Sequence, residues 1–402
     1  MLRGNKYRIY PTPEQVLKLE QHFGCTRLLF NMGLEIRNSA YRSLQKSVSG
    51  MTISNELKHL KKDFPFFKEV NSQSLQAAFT NLDTSFNNFF KGLTGFPRFK
   101  RKQDKQSFAV PQNGFLEEGM LNIPKFREGI KIVIHRKFKG IIKGITISKT
   151  PSGKYFAAIL TDSGNVFPIK RPVDANTSIA GDLGLSSFFI KSDGEKIDNP
   201  RFLRQSLVHL AWLQRQLRFK KDKSSNRCKR LYKRVAKLHE IIANQRKDFL
   251  HKLSADLVKN HDTICIETLK VKNMIKNHKL ALSIADAGWG MFVNMLEYKC
   301  LWQGKNLLKL DTFEASSKEC HCCEHKNEEL TLADREWTCA NCGAHHDRDI
   351  NAAKVILKKC LLRGTERTCQ DIEVLPLSKR KRFGKRAVEM LKVQNIALPG
   401  AS

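Results

Sequence analysis

Thr263-Ile264-Cys265-Ile266-Glu267 reads as a buried strand that ends on a carboxylate. Two long amphipathic helices precede it. The first carries Leu203, Leu207, Leu210, Leu213 and Leu217 on one face; the second carries Leu231, Val235, Leu238, Ile242, Phe249, Leu253 and Leu257. Both have basic outer faces, and Lys220 to Arg227 reads as the exposed turn between them. Further upstream a β pattern opens at Ser178 and runs through Asp182, Leu183 and Gly184. It returns in Phe188-Phe189-Ile190 before the turn Ser192-Asp193-Gly194. Downstream come a helix around Gly288 to Trp302, a strand near Leu307 to Leu310, and a helix from Asp349 to Leu361. Strand, hairpin, helices, strand, helix, strand, helix is an α/β order.

The first 170 residues have a different texture. Lys6-Tyr7-Arg8-Ile9-Tyr10 alternates basic and apolar residues and stops at Pro11, as a short strand with one solvated face does. A helix is expected at once. Thr12 can cap it, Pro13 suits its first position, Gln15 completes a capping box, and Gly24 offers a stop. Leu75, Phe79, Leu82, Phe86 and Phe89 recur at helical spacing, so residues 11–95 are expected to form a helical unit. From Gly95 the character changes. Gly95-Phe96-Pro97-Arg98-Phe99-Lys100-Arg101-Lys102 is a basic loop with interleaved aromatics, and short β runs follow to about residue 168. Among them Ile145 to Ser148 and Tyr155 to Ile159 flank the turn-rich Pro151-Ser152-Gly153-Lys154, a hairpin signature. A strand before the helices and strands after them make the helical unit an insertion in a small β domain.

A chain of 402 residues is too long for one core and implies several modules. Its 71 Lys and Arg against 39 Asp and Glu leave a formal charge of +32, spread along the sequence. Such a field favours a polyanion, because each phosphate neutralised releases condensed counterions. No apolar run approaches the ~20 residues of a spanning helix, and Met1 to Pro11 lacks the continuous apolar stretch of a signal peptide, so a cytoplasmic protein is expected. The eleven cysteines are odd in number, and five crowd into residues 320–342. The others, Cys25, Cys228, Cys265, Cys300, Cys360 and Cys369, lie mostly in apolar patterns as small buried hydrophobes, which fits a reducing compartment. Residues 363–402 have little periodicity and contain Lys379-Arg380-Lys381-Arg382-Phe383-Gly384-Lys385-Arg386; a disordered basic tail is expected there.

Cys320-x-x-Cys323 and Cys339-x-x-Cys342, fifteen residues apart, have the spacing by which two knuckles place four thiolates around Zn²⁺. With no open coordination position, that zinc is structural and folds about thirty residues that carry few apolar side chains. Gly343 follows the second pair as a tight knuckle wants, Glu324 stands at the equivalent place after the first, and Cys322 is a fifth thiol inside the first knuckle. The acidic candidates are Asp182 beside glycines, Glu267 at a strand end and Asp349 at a helix start. Each alone reads as a turn residue, a solvated end or a cap. Together they supply the hard oxygen ligands by which phosphodiester hydrolysis holds two Mg²⁺ or Mn²⁺ ions.

These residues reach a known pattern: the chain resembles the TnpB proteins of bacterial and archaeal insertion sequences, relatives of compact type V CRISPR effectors. The resemblance rests on Lys6 to Pro11, Gly95 to Phe99, Gly181-Asp182-Leu183-Gly184, Ile266-Glu267-Thr268-Leu269, Leu282 to Gly290, the knuckles, and Asp347-Arg348-Asp349-Ile350-Asn351-Ala352-Ala353, in family order. It implies a multi-domain α/β protein. A RuvC-like nuclease domain of RNase H fold, 171–315 and 346–362, would hold the triad Asp182, Glu267 and Asp349. A zinc ribbon insertion would span 316–345, and a wedge-type β domain, 1–10 and 96–170, would be interrupted by a helical recognition domain, 11–95. Asp349 rather than Asp347 matches the catalytic position because it directly precedes Ile-Asn-Ala-Ala. The activity implied is RNA-guided endonuclease cleavage of DNA beside a short transposon-adjacent motif, with a guide RNA from the transposon end, magnesium at the triad and one zinc ion. Lys6, Tyr7, Arg98, Lys100, Arg101 and Arg348 are the candidate nucleic-acid contacts. A nuclease-inactive RNA-guided regulator and a DNA transposase are the alternatives. Gly181 replaces a usual aliphatic residue, which puts strand packing there in question, as Glu324 does for the first knuckle.

Overall fold

A computed structural model describes residues 1–220, 222, 224–311, 318–331 and 334–368. The described chain divides into two compact units, Met1–Asn165 and a second that begins at Val166.

In the first unit one antiparallel sheet of seven strands has the order β2-β6-β7-β1-β5-β4-β3. The strands are β1 (Leu2–Tyr10), β2 (Gln106–Val110), β3 (Phe115–Glu117), β4 (Met120–Ile123), β5 (Phe126–Val133), β6 (Ile141–Lys149) and β7 (Tyr155–Asp162). The N-terminal strand therefore sits in the middle of strands that come a hundred residues later, with Asn5 opposite Ile159 and Ile9 opposite Ile132. Helices α1 (Pro13–Leu44), α2 (Gly50–Asn55), α3 (Leu57–Asp63) and α4 (Ser72–Phe90) lie between β1 and β2. The β6–β7 hairpin pairs Lys149 with Tyr155 across its turn, where Gly153 takes the positive φ of 88° that a side chain resists.

The capping box forms as read, with Thr12 and Gln15 exchanging side-chain bonds. Gly24 does not end the helix, which runs on to Leu44. A glycine costs only about 1 kcal/mol inside a helix, and the apolar face continues past it through Cys25, Leu29, Phe30 and Leu34, all buried. Packing overrides the local signal.

The second unit holds a mixed five-stranded sheet of order β10-β9-β8-β11-β12. Its strands are β8 (Ser178–Asp182), β9 (Ser187–Lys191), β10 (Lys196–Asp198), β11 (Thr263–Glu267) and β12 (Asn306–Leu310). β8, β11 and β12 are parallel, whereas β9 and β10 run antiparallel to their neighbours. The helices are α5 (Phe202–Arg218), α6 (Asn226–Asn260), α7 (Val271–Met274), α8 (Ala281–Ala287), α9 (Trp289–Gln303) and α10 (Arg348–Thr368).

Successive side chains of a strand point to opposite faces, and here the alternation sorts the core. Ile179, Ile264 and Ile266 pack with Leu250, Leu257, Phe292 and Leu296 of α6 and α9. Ala180 and Cys265 pack with Ile356 and Cys360 of α10. Gly181, on the α6/α9 side, has Phe189 where a side chain would go: a Cβ there would lie 1.9 Å from Phe189 Cζ. The aliphatic residue expected at that position is thus replaced by a phenylalanine reaching over from β9.

α10 continues six residues into the stretch expected to be a disordered tail from 363, because helix propagation is cheap once the first turns are anchored. Residues 369–402, with Cys369 and the basic cluster, lie outside the described residues. Cys25, Cys228, Cys265, Cys300 and Cys360 are buried. Among the described residues no helix is long and apolar enough to cross a membrane.

Candidate functional site

The three expected carboxylates lie on β8, β11 and α10. β8 and β11 pair in parallel register, Ile266 opposite Gly181, so Asp182 and Glu267 follow side by side where the two strands end. Neighbouring strands are about 4.8 Å apart. Parity places both on the sheet face that α10 covers, since they alternate with residues of the α6/α9 side. Asp349 stands in the first turn of α10. It is close enough that its charge, after burial, is the second reason Asp182 is raised from 3.8 to about 6. Glu267 is raised from 4.5 to about 7, first by burial and then by Asp182. Burial outweighs the charge of Arg348, which alone among the cations pulls Asp182 back down, and among the described residues neither carboxylate forms an ion pair with Lys or Arg.

Asp347 and Asp349 do different work. Asp347 Oδ1 accepts from the backbone N–H groups of Asp349 and Ile350 at 3.0 and 3.1 Å, and its other oxygen takes Lys196 Nζ at 2.5 Å. The helix-start role therefore falls to Asp347, which leaves Asp349 free of capping. Arg335 and Arg348 pair with Asp349 at 3.5 and 3.4 Å. Arg335 was not singled out by the sequence, and nothing in its local pattern marks it.

The thiolates of Cys320, Cys323, Cys339 and Cys342 all lie within 4.8 Å of one another. Cys320 and Cys342 are 3.7 Å apart and Cys323 and Cys339 3.6 Å. Four sulfurs about 2.3 Å from a tetrahedral zinc would be separated by about 3.8 Å, so the donor set fits that ion. Both knuckles close alike. Glu324 N donates to Cys320 O at 2.9 Å and Gly343 N to Cys339 O at 2.8 Å, with φ of 62° and 70° at the two turning residues. Glu324 thus adopts the glycine conformation at some strain, and its carboxylate takes Lys358 Nζ at 2.8 Å. Strands β13 (Glu336–Thr338) and β14 (His345–Asp347) form the ribbon's hairpin.

Of the candidate nucleic-acid contacts, Lys6, Arg98 and Arg101 are exposed. Lys6 Nζ sits 4.2 Å above the Phe156 ring and Lys100 Nζ 3.7 Å above Phe30. Tyr7 is a correction: it is fully buried in the sheet core and its hydroxyl donates to Arg136 O at 2.7 Å. Strand alternation marks a face, and here that face turns inward. Arg348 is largely buried and bonded to Thr331 O at 3.1 Å as well as to Asp349.

A protein of Streptomyces pristinaespiralis named "Putative RNA-guided DNA endonuclease" is 40 % identical over 365 residues, 88 % of each chain. The family descriptions "Probable transposase" of the IS605 OrfB type and "Cas12f1-like, TNB domain" match residues 160–278 and 289–356. The chain belongs to the TnpB family. Another relative, "Putative RNA-guided DNA endonuclease InsQ" of Escherichia coli K12, is 30 % identical over 376 residues, 89 % of this chain and 92 % of that one. A third family description, "Helix-turn-helix domain", matches residues 1–46; in this TnpB-family chain that segment is β1 and the single helix α1. A cryo-EM structure of a Cas12f1-sgRNA-target DNA complex aligns at 12 % identity and a TM-score of 0.48, covering 89 % of this chain and 98 % of that one.

Proposed function

We propose that this chain is an RNA-guided, divalent-metal-dependent DNA endonuclease whose RuvC-like, RNase H-fold domain uses Asp182, Glu267 and Asp349. The observation that carries the reading is the convergence of three carboxylates from β8, β11 and α10, two of them with raised proton affinity. A mixed sheet with its acids at the ends of adjacent parallel strands, under one covering helix, supports the nuclease fold. Hard carboxylate oxygens suit magnesium or manganese, and the ion would supply Lewis acidity and an activated water for phosphodiester hydrolysis. The protein's part is to hold the oxygens. Register fixes Asp182 beside Glu267, the Asp347 cap fixes the start of α10, and Arg335 and Arg348 restrain Asp349.

A single structural zinc ion on Cys320, Cys323, Cys339 and Cys342 belongs to the same reading. So do a wedge-type role for the seven-stranded sheet and a recognition role for α1–α4. The excess of 32 positive charges suits a guide RNA and target DNA held through their phosphates, with sequence read by base pairing. The test is cleavage of supercoiled plasmids carrying a target beside a randomised flank, by chain purified with its own RNA. Asp349→Ala should lower magnesium-dependent cleavage by at least about 100-fold while RNA and target binding persist. Cleavage undiminished in that variant would refute the triad, and strand-transfer products formed without RNA would point to a transposase instead.

A further inference from the structure

Beside the four-cysteine set stands a second group of donors. Cys320 Sγ, Cys322 Sγ and the His346 ring nitrogen all lie within 4.8 Å of one another, with His346 Nε2 3.1 Å from Cys320 Sγ. Cys322 takes no part in the four-cysteine set and its thiol is exposed.

A fourth donor is prepared by α10. Asn351 is buried; its Oδ1 accepts from the backbone N–H of His321 at 3.0 Å, and its amide nitrogen donates to Glu319 O at 2.6 Å. Those two bonds identify which end of the amide is oxygen. His321 Nδ1, 2.9 Å from that oxygen, must then carry the ring proton. Its Nε2 is left as the acceptor, 3.4 Å from Cys322 Sγ, whose proton it takes in a hydrogen bond and which a metal would displace. Fixing the tautomer through the far nitrogen is how metal-ligating histidines are oriented.

We propose that the ribbon binds a second thiophilic divalent ion, held by Cys322, His346, His321 and a bridging Cys320 thiolate. The inference rests on the four-cysteine zinc reading, since Cys320 serves both ions. Two thiolates and two imidazoles form a tetrahedral donor set suited to zinc. Sulfur and nitrogen ligands on one zinc ion would stand about 3.5 Å apart, a small opening from the 3.1 Å between Cys320 and His346. His321 Nε2 lies outside the 4.8 Å set and enters as the ion draws the side chains together. The competing account is a pair of hydrogen bonds with no second ion, one between His346 and Cys320 and one between Cys322 and His321. That account also has the Cys322 thiol donating to His321 Nε2, and the zinc count and the alkylation rate below separate it from the metal site.

The full chain with its co-purified RNA, saturated with zinc and dialysed into magnesium buffer without chelator, should hold about two zinc ions per chain. Cys322→Ser should hold about one, and after cobalt exchange its sulfur-to-cobalt absorption should fall by about one third, as the bonds to Cys322 and to bridging Cys320 are lost. In zinc-loaded wild type, mapped alkylation of Cys322 should be at least about 10-fold slower than for a free thiol. This second measurement needs no variant. About one zinc in both proteins, or free-thiol alkylation, overturns the second site and leaves the first standing. No zinc in either would sink the four-cysteine reading too, and about two in both would place the second ion elsewhere and overturn the proposal.

Discussion

Asp182→Asn is expected to stabilise the magnesium-free protein, and only above the acid range. The folded carboxyl of Asp182 is raised from 3.8 to about 6, first because burial strips its water and then because Asp349 faces it. A rise of that size corresponds to about 3 kcal/mol. The folded chain keeps a proton that the unfolded chain gives up, so stability is full below pH 3.8, falls as pH rises through about 6, and stays low above it. Asparagine has no such proton. The two proteins should therefore match near pH 4 and separate by up to about 3 kcal/mol at pH 8, or about 6–12 °C in melting temperature for a unit of this size. Loss of the Asp182 charge also relieves Glu267, which adds in the same direction. The assay is urea unfolding of both proteins at several pH values, without magnesium and without chelator so that thiolate-held metal stays. Their difference cancels every titration that is not coupled to Asp182. Millimolar magnesium should then stabilise the wild type by binding and shrink or reverse the gap. A gap that does not change with pH, or a wild type that is the more stable at pH 8 without magnesium, would refute the buried carboxylate of raised proton affinity.

Three further outcomes follow from packing and metal geometry. Gly181→Ala puts a Cβ 1.9 Å from Phe189 Cζ and should cost about 3 kcal/mol in urea unfolding; adding Phe189→Leu should recover at least about 1 kcal/mol of the sum of the single costs. Gly24→Ala meets nothing within 4 Å inside α1 and should stabilise the first unit by about 0.5–1 kcal/mol in thermal unfolding. Cys339→Ser removes one of four thiolates and should abolish amide-exchange protection in β13 and β14, while protection in β6 and β7 is unchanged.

Strands β8 and β11 were legible because buried parallel strands carry nearly continuous apolar runs, and the acids showed as polar ends to those runs. The knuckles were legible because their ligand spacing leaves little choice. What the local pattern missed, tertiary contacts decided. Gly24 carries a stop signal that the apolar face of α1 overrides. Tyr7 belongs to an alternating strand, and alternation alone does not say which face meets solvent. Gly181 departs from the family pattern for a reason 8 residues away in sequence, the ring of Phe189. Arg335 shows no local sign at all, because its partner Asp349 lies 14 residues further along.

α10 ties these elements to one another. Within five residues Asp347 caps the helix, Asp349 faces Asp182, and Asn351 holds the first knuckle through His321 and Glu319. The knuckle and the first turn that carries Asp349 are therefore joined through Asn351. Asp182 and Glu267 are fixed independently by the β8–β11 register, so the third carboxylate is the one whose position depends on the ribbon. An ion on the four cysteines, as proposed above, would act on the proposed acidic site without touching it, through the bonds of Asn351 to His321 and Glu319. The Asp347 cap and the two bonds of Asn351 together hold the first turn of α10, where Asp349 stands.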